Sequence, residues 1–206
     1  MTDAFIFIKP GKGETKKLLK LINPALRSRE FDAEVTTLMC AKLPFYEGYR
    51  LIEIFDHSEY PVQKRYVLVD ADSKNVTVMT YQPQAIEKLN KDVPLILSAQ
   101  NIADYVRFYF DMVIGSYGKF QIVEMIDDIP WIEDPSPQER RAIAGHVKDV
   151  ALYKEDGRSG YFLKASMLFK TALFEVDLKV SKNGDVEILS QDVVKEDLQI
   201  KDQMVG

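Results

Sequence analysis

Histidine is the side chain best suited to acid–base chemistry near neutral pH, and the 206-residue chain has two of them. His146 follows Gly145 at the end of a predicted helix, and Asp149 lies a few residues farther along. An imidazole that a carboxylate orients can act as a general base, so this pair is a candidate catalytic group. The dipole at a helix C-terminus also favours a cation, which gives His146 a purely structural alternative.

Two tyrosines on a predicted helix could add hydroxyl groups to such a site. Tyr105 and Tyr109 are separated by one helical turn, so they lie on the same face of that helix. Their hydroxyls could point into a pocket that also holds His146 or a carboxylate. The alternative is that both rings belong to the core and that their hydroxyls are hydrogen-bonded locally.

Patterns for metal or cofactor binding are weak. His57 lies between Asp56 and Glu59 but has no second histidine or cysteine at ligand spacing. Glycines and lysines near Thr15 do not match the G-x-x-x-x-G-K spacing of a phosphate loop. Cys40 is predicted to be a small, buried apolar residue. We therefore expect neither a metal nor a cofactor.

An acidic loop carries the only tryptophan of the chain. Asp127 and Asp128 precede Trp131, and this grouping could form a protein-binding site because tryptophan is enriched among interface anchors. The alternative is structural. The two carboxylates would then accept hydrogen bonds from turn amides, and Trp131 would cover an open end of the core.

The N-terminal region is basic and the C-terminal region acidic. Four lysines, Lys12, Lys16, Lys17 and Lys20, lie on a predicted short helix or in the turn just before it. Opposite patches of this kind can attract an acidic partner, with salt-sensitive affinity, or can bring two copies of the chain together. The alternative is an ordinary solvated helix face.

Composition narrows the class of protein. The net charge is −5 and the pI about 5.2, so we expect no nucleic-acid partner, since phosphate binding needs a basic surface. A single cysteine favours a reducing compartment. No apolar run reaches the length of a membrane span, and the first ten residues lack signal-peptide features. The sequence therefore predicts a cytoplasmic protein without a transmembrane segment.

The strongest structural signal is a series of antiparallel strands between Gly160 and Val194. Residues of Ala172–Val180 alternate between apolar and charged types, which predicts a strand with one face on a core. Tyr161–Phe169 alternates in the same way. Asn183-Gly184 predicts a tight hairpin, because both residues accept positive φ angles.

Other segments predict helices and a boundary. Ser98–Ile114 has a wide apolar stripe at helical spacing, and Ser136 with Glu139 has the spacing of a helix N-cap. Val93-Pro94 marks a boundary between residues 1–93, a smaller α+β lobe, and residues 94–206, unless both form one compact unit. In the first lobe we predict the strands Ala4–Ile8, Val35–Ala41, Tyr49–Phe55, Tyr66–Asp70 and Val76–Thr80, and the helices Thr15–Ile22 and Gln82–Asn90.

The C-terminal half, about Ser98–Asp192, resembles the cystatin-like and NTF2-like class in its order of elements: long helix, strand, short helix, then successive antiparallel strands. The resemblance implies an α+β fold in which a curved sheet wraps one helix. It carries no catalytic residue over to this chain, because such folds serve many unrelated functions.

Two functions follow from these observations. The first is a non-catalytic module that binds a protein or a small molecule, with a homodimer formed through exposed sheet surface as one arrangement. The second is a small enzyme with a cone-shaped pocket that uses a carboxylate or His146 for proton transfer. An enzyme needs ionisable side chains that converge in an apolar pocket, whereas a filled core with an exposed patch favours the binding module.

Overall fold

The computed structural model describes residues 5–26, 30–58, 60–70, 72, 75–115 and 117–201. Within those residues the chain contains four α-helices and two antiparallel sheets, so the predicted α+β class is confirmed. The chain divides into two compact units, the N-terminal unit (residues 5–80) and the C-terminal unit (residues 81–201). The predicted boundary at Val93-Pro94 lies just after the first helix of the C-terminal unit.

The N-terminal unit consists of one helix and a four-stranded sheet of order β1-β2-β3-β4. Its elements are α1 (Lys12–Leu26), β1 (Thr36–Lys42), β2 (Tyr49–Asp56), β3 (Gln63–Asp70) and β4 (Val76–Val78). The apolar face of α1 packs on one face of the sheet, where Leu18, Leu19 and Ile22 meet Ile52 and Val67. This helix face has the 3–4 spacing that the sequence indicates.

Helix α1 and the first predicted strand of the N-terminal unit differ from their predicted bounds. Helix α1 continues through Pro24 to Leu26, because a proline in the last turn removes only one backbone hydrogen bond. Asn23 then holds the following chain, since its side chain donates to the Phe31 carbonyl and accepts from the Phe31 amide, each at 3.0 Å. The predicted strand at residues 4–8 is reduced to one bridge, Ile8 with Cys40, and residue 4 lies outside the described residues.

The C-terminal unit contains a five-stranded antiparallel sheet. Its elements are α2 (Pro83–Asp92), α3 (Ile102–Met112), β5 (Phe120–Ile122), a 3₁₀ turn (Ile126–Asp128), α4 (Pro137–Ala144), β6 (Ala151–Asp156), β7 (Gly160–Phe169), β8 (Ala172–Val180) and β9 (Val186–Lys195). Strand β8 pairs along one edge of β7, and β5 and β6 pair with different parts of its other edge. Strand β9 pairs with β8 and ends the sheet.

The predicted alternation of β8 is right for its second half and wrong at its start. Val176, Leu178 and Val180 are buried as expected. At the start of the strand it is Leu173 that is fully buried, while Phe174 is only half-buried. A β-bulge in the pairing with β9 lies between these two residues. A second apolar cluster covers Leu173 on the opposite face, formed by Val123, Ile129, Ile143, Leu168, Leu198 and Ile200.

The connection between β8 and β9 is also wider than the predicted tight hairpin. Gly184 has a φ of +84°, but Asn183 does not have a positive φ. A five-residue loop, Ser181–Asp185, closes through two backbone hydrogen bonds, Ser181 N to Asp185 O and Gly184 N to Ser181 O. The Asn183 side chain bonds to both ends of this loop, so it stabilises the turn by its amide rather than by its backbone angle.

Removing the cap of α4 should destabilise the C-terminal unit by about 1 kcal/mol. The Ser136 hydroxyl accepts the Glu139 amide at 3.2 Å, as the sequence predicts, and Ser136→Ala leaves that amide without its partner. Urea unfolding followed by tryptophan fluorescence measures the loss. Ser159→Ala is the matched control, because the Ser159 hydroxyl makes no hydrogen bond to a described residue. Equal effects of the two substitutions would contradict the capping role.

Candidate functional site

A hollow of about 210 Å³ lies on the face of the C-terminal sheet that carries the charged residues of β8. We call it the outer hollow. Ser166, Ala165, Val176 and Ala151 contribute to its floor and walls. Its charged lining residues are Lys148, Asp149, Lys164, Glu175, Asp177 and Asp192.

Strand register explains why these side chains meet. Glu175 lies opposite Ser166 on β7 and opposite Asp192 on β9. Asp177 lies opposite Lys164 on β7 and opposite Ser190 on β9. Directly opposed residues of antiparallel strands have neighbouring side chains on one face, so three strands contribute to a single polar surface.

Asp177 is the central charged residue of the hollow. Its Oδ2 accepts a hydrogen bond from the Ser190 hydroxyl at 3.0 Å. Its Oδ1 lies 3.8 Å from Lys164 Nζ, which is an ion pair but too long for a hydrogen bond. This buried Oδ1 accepts no hydrogen bond from any described residue. A buried acceptor without a donor is costly, and the charge of Lys164 partly compensates for it.

Ser166 fixes the segment that precedes β6. The residue is 2 % exposed, and its hydroxyl donates to the His146 carbonyl at 2.8 Å and accepts from the Lys148 amide at 3.1 Å. These two bonds join β7 to residues 146–148 and place Lys148 at the rim of the hollow. Strand β6 therefore starts only at Ala151, because the Lys148 amide and the His146 carbonyl bond to the Ser166 side chain and not to the backbone of β7.

His146 lies beside a carboxylate that the sequence did not indicate. Its Nδ1 is 3.1 Å from Glu175 Oε1, whereas Asp149 lines the hollow without a contact to the ring. The two side chains are 53 % and 44 % exposed, so water screens their interaction. Alternation along β8 places Glu175 on the outer face, but only the tertiary fold brings it to His146.

Tyr105 lies in the core of the C-terminal unit. Its hydroxyl donates to the Gly184 carbonyl at 2.7 Å and accepts from the Asn90 side-chain amide at 2.8 Å. Burial raises the pKa of this hydroxyl well above its usual range, and the Asn90 hydrogen bond only partly offsets the effect. Burial also raises the pKa of Tyr109, with contributions from the charges of Glu87 and Asp185. Both hydroxyls therefore stay protonated at neutral pH.

The contacts of the acidic loop agree with a structural role, in which carboxylates accept backbone amides and Trp131 covers part of the core. Trp131 is half-buried against the second apolar cluster, and its indole N–H donates to the Ile126 carbonyl at 3.2 Å. The Asp128 carboxylate accepts the amides of residues 124 and 125 at 2.8 and 2.7 Å, and β5 ends before them at Ile122. Asp127 pairs with Arg140 of α4. A partner-binding role for this loop stays a prediction.

The four lysines of α1 are exposed, and acidic residues lie opposite two of them. An open groove of about 780 Å³ separates α1 from residues 30–34. Lys16 and Lys20 line one wall, and the carboxylates of Glu30, Asp32 and Glu34 line the other. Lys16 Nζ is 3.6 Å from Glu34 Oε1. These carboxylates reduce the positive potential that an anionic partner would meet.

Two further residues considered for chemistry have local contacts. His57 Nε2 lies 3.2 Å from Thr37 Oγ1, and Glu59 lies outside the described residues. Cys40 is half-buried rather than buried, and burial raises the pKa of its thiol despite the opposing charge of Arg50. Within the described ranges, no three histidine, cysteine, aspartate or glutamate side chains are grouped as a metal ion requires.

Arg107 on α3 forms a network that sequence reasoning missed. Its guanidinium donates twice to Glu124, at 2.9 and 2.7 Å, and once to Asp104 at 2.7 Å. The Val150 amide also donates to Glu124, at 2.8 Å. Burial alone would raise the pKa of the Glu124 carboxyl, but these hydrogen bonds and the Arg107 charge outweigh it and lower the pKa. The network joins α3 to the segments after β5 and before β6.

No protein-family model, no curated protein and no solved structure matches the chain. None of the described helices is long and apolar enough to cross a membrane.

Proposed function

We propose that the chain is a non-catalytic binding module and that the outer hollow is its binding surface. The observation that carries this proposal is the convergence of charged side chains from three strands on one concavity. Concave sites that combine a few polar groups with a fixed framework are typical of ligand recognition. The rigid sheet beneath supplies that framework.

The alternative is an enzyme with a general base, and it rests on the 3.1 Å contact between His146 and Glu175. Proton transfer by such a pair is favoured when burial or neighbouring charges tune its groups. Here both side chains face water, and the tyrosines proposed to assist them lie at α3, where Tyr105 is bonded to Asn90 and Gly184. The candidate catalytic residues are thus divided between two places in the unit, which favours binding.

The lining of the hollow indicates the chemistry of its ligand. Four carboxylates, those of Asp149, Glu175, Asp177 and Asp192, outnumber the two lysines. Electrostatic complementarity therefore favours a partner protein with basic side chains.

A reducing, cytoplasmic location fits the single cysteine. A cystatin-like arrangement of helix and sheet is part of the same proposal and is supported by the order of elements in the C-terminal unit.

The test compares proteins that co-purify with tagged wild-type chain and with a variant carrying Glu175→Lys and Asp192→Lys, using native mass spectrometry for the bound species. We expect the hollow variant to lose a basic protein that the wild type retains. The matched control carries Glu47→Lys and Glu155→Lys, which change the same charge at exposed positions outside the hollow. Equal retention by all three proteins, or a small molecule turned over by the wild type, would overturn the proposal.

A further inference from the structure

Strand β9 is a long edge strand. Its ten residues pair with β8 on one side, and no described strand pairs with its other side. Two apolar side chains on it are exposed, Leu189 by 46 % and Val193 by 54 %. A free edge with exposed apolar residues is a template for another strand.

Two β-bulges usually make an edge strand unsuitable for pairing, because they shift side chains between faces. In β9 the two bulges leave the outer-face residues at symmetric positions along the strand. Pairing with β8 places Glu187, Ser190, Asp192 and Lys195 on the outer face, opposite Lys179, Asp177, Glu175 and Leu173. These four positions are symmetric about Gln191. If a second copy of β9 runs antiparallel to the first and the pair is centred on Gln191, these outer-face residues of one copy lie opposite the outer-face residues of the other copy.

We propose that two copies of the chain pair along β9, antiparallel and about a twofold axis at Gln191. Glu187 then lies opposite Lys195 of the partner subunit, and Leu189 lies opposite Val193 of the partner subunit. The twofold axis gives each of these pairs twice. Opposite charges and apolar pairs in directly opposed positions both stabilise antiparallel strands. The result is a continuous ten-stranded sheet.

Charge also disfavours the register centred on Asp192. That register places the Asp192 carboxylate directly opposite its own copy within the paired strands. Like charges in directly opposed positions destabilise antiparallel strands. The Gln191 register avoids this repulsion. This inference is independent of the proposed function, although Asp192 places the interface at the rim of the outer hollow.

Sedimentation equilibrium of the wild-type chain over a concentration series tests the dimer. Glu187→Lys and Lys195→Glu should each weaken dimerisation by about tenfold, because each replaces two attractive pairs by two repulsive pairs. Mixing the two single variants should restore association as a heterodimer, since Lys faces Glu at both positions. The chain that carries both substitutions should also dimerise. Circular dichroism checks that every variant is folded.

A disulfide tests the register directly. With Cys40→Ser in the background, Gln191→Cys should form a covalent dimer under mild oxidation, because residue 191 faces its own copy. Glu187→Cys is the matched control and should stay uncrosslinked, since its own copy lies at the far end of the interface. A wild-type chain that is monomeric at all concentrations, single variants without effect, or equal crosslinking of the two cysteines would overturn the proposal.

Discussion

Replacing Gly184 with alanine should destabilise the C-terminal unit by about 3–5 kcal/mol. An added Cβ would lie 2.4 Å from Asn90 Nδ2, 2.5 Å from Tyr105 Oη and 2.7 Å from Leu95 Cδ2. Asn90 Nδ2 donates to Tyr105 Oη, and Tyr105 Oη donates to the Gly184 carbonyl. These atoms must move to make room for the added Cβ, and the movement breaks both hydrogen bonds. Alanine is also strained at the observed φ of +84°.

Urea unfolding followed by Trp131 fluorescence measures this effect, because Trp131 and Gly184 belong to the same unit. Gly157→Ala is the matched control. Its Cβ would meet no atom within 4 Å, and its φ lies outside the positive range, so we expect a change within about 0.5 kcal/mol. A Gly184→Ala protein as stable as this control would show that the loop does not depend on the Asn90 and Tyr105 contacts.

Gly184 also shows how far the sequence predicts the fold. The Asn-Gly pair indicates the position of the turn correctly, because turn preferences depend on a few neighbouring residues. It does not indicate the length of the loop. The loop is also held by the Tyr105 hydroxyl, which donates to the Gly184 carbonyl from 79 positions away in the sequence. Local patterns thus locate the strands, whereas contacts between distant segments determine how the strands are joined.

The same distinction applies to the outer hollow. Alternation along β8 predicts that Glu175 and Asp177 share a face. Which residues stand beside them depends on strand register and on the bulges of β9, and neither leaves a signal in a single sequence. For this reason the sequence associates His146 with Asp149, its neighbour along the chain, and does not indicate Glu175. It does not indicate Lys164 or Asp192 for the same reason.

Removing the Arg107 side chain should destabilise the C-terminal unit by about 2–4 kcal/mol. Glu124 is only 14 % exposed, and Arg107→Ala leaves it with the Val150 amide as its remaining donor among the described residues. A buried carboxylate that loses its cation bears a large desolvation cost. Lys88→Ala is the matched control, because Lys88 and Asp92 form an exposed pair and such pairs contribute less than about 1 kcal/mol.

The pH dependence of stability distinguishes this network from simple packing. The pKa of Glu124 is lowered on folding from its ordinary value of 4.5, so the unfolded chain binds a proton at a higher pH than the folded chain does. The stabilisation is therefore fully present above pH 4.5 and is lost as the pH falls through the lowered value. We expect Glu124→Gln to unfold more easily than the wild type at pH 7, with the difference shrinking in acid. If the stability difference between Glu124→Gln and the wild type stayed constant from neutral to acidic pH, Glu124 would stabilise the unit by packing. The charge interaction between Glu124 and Arg107 would then not contribute.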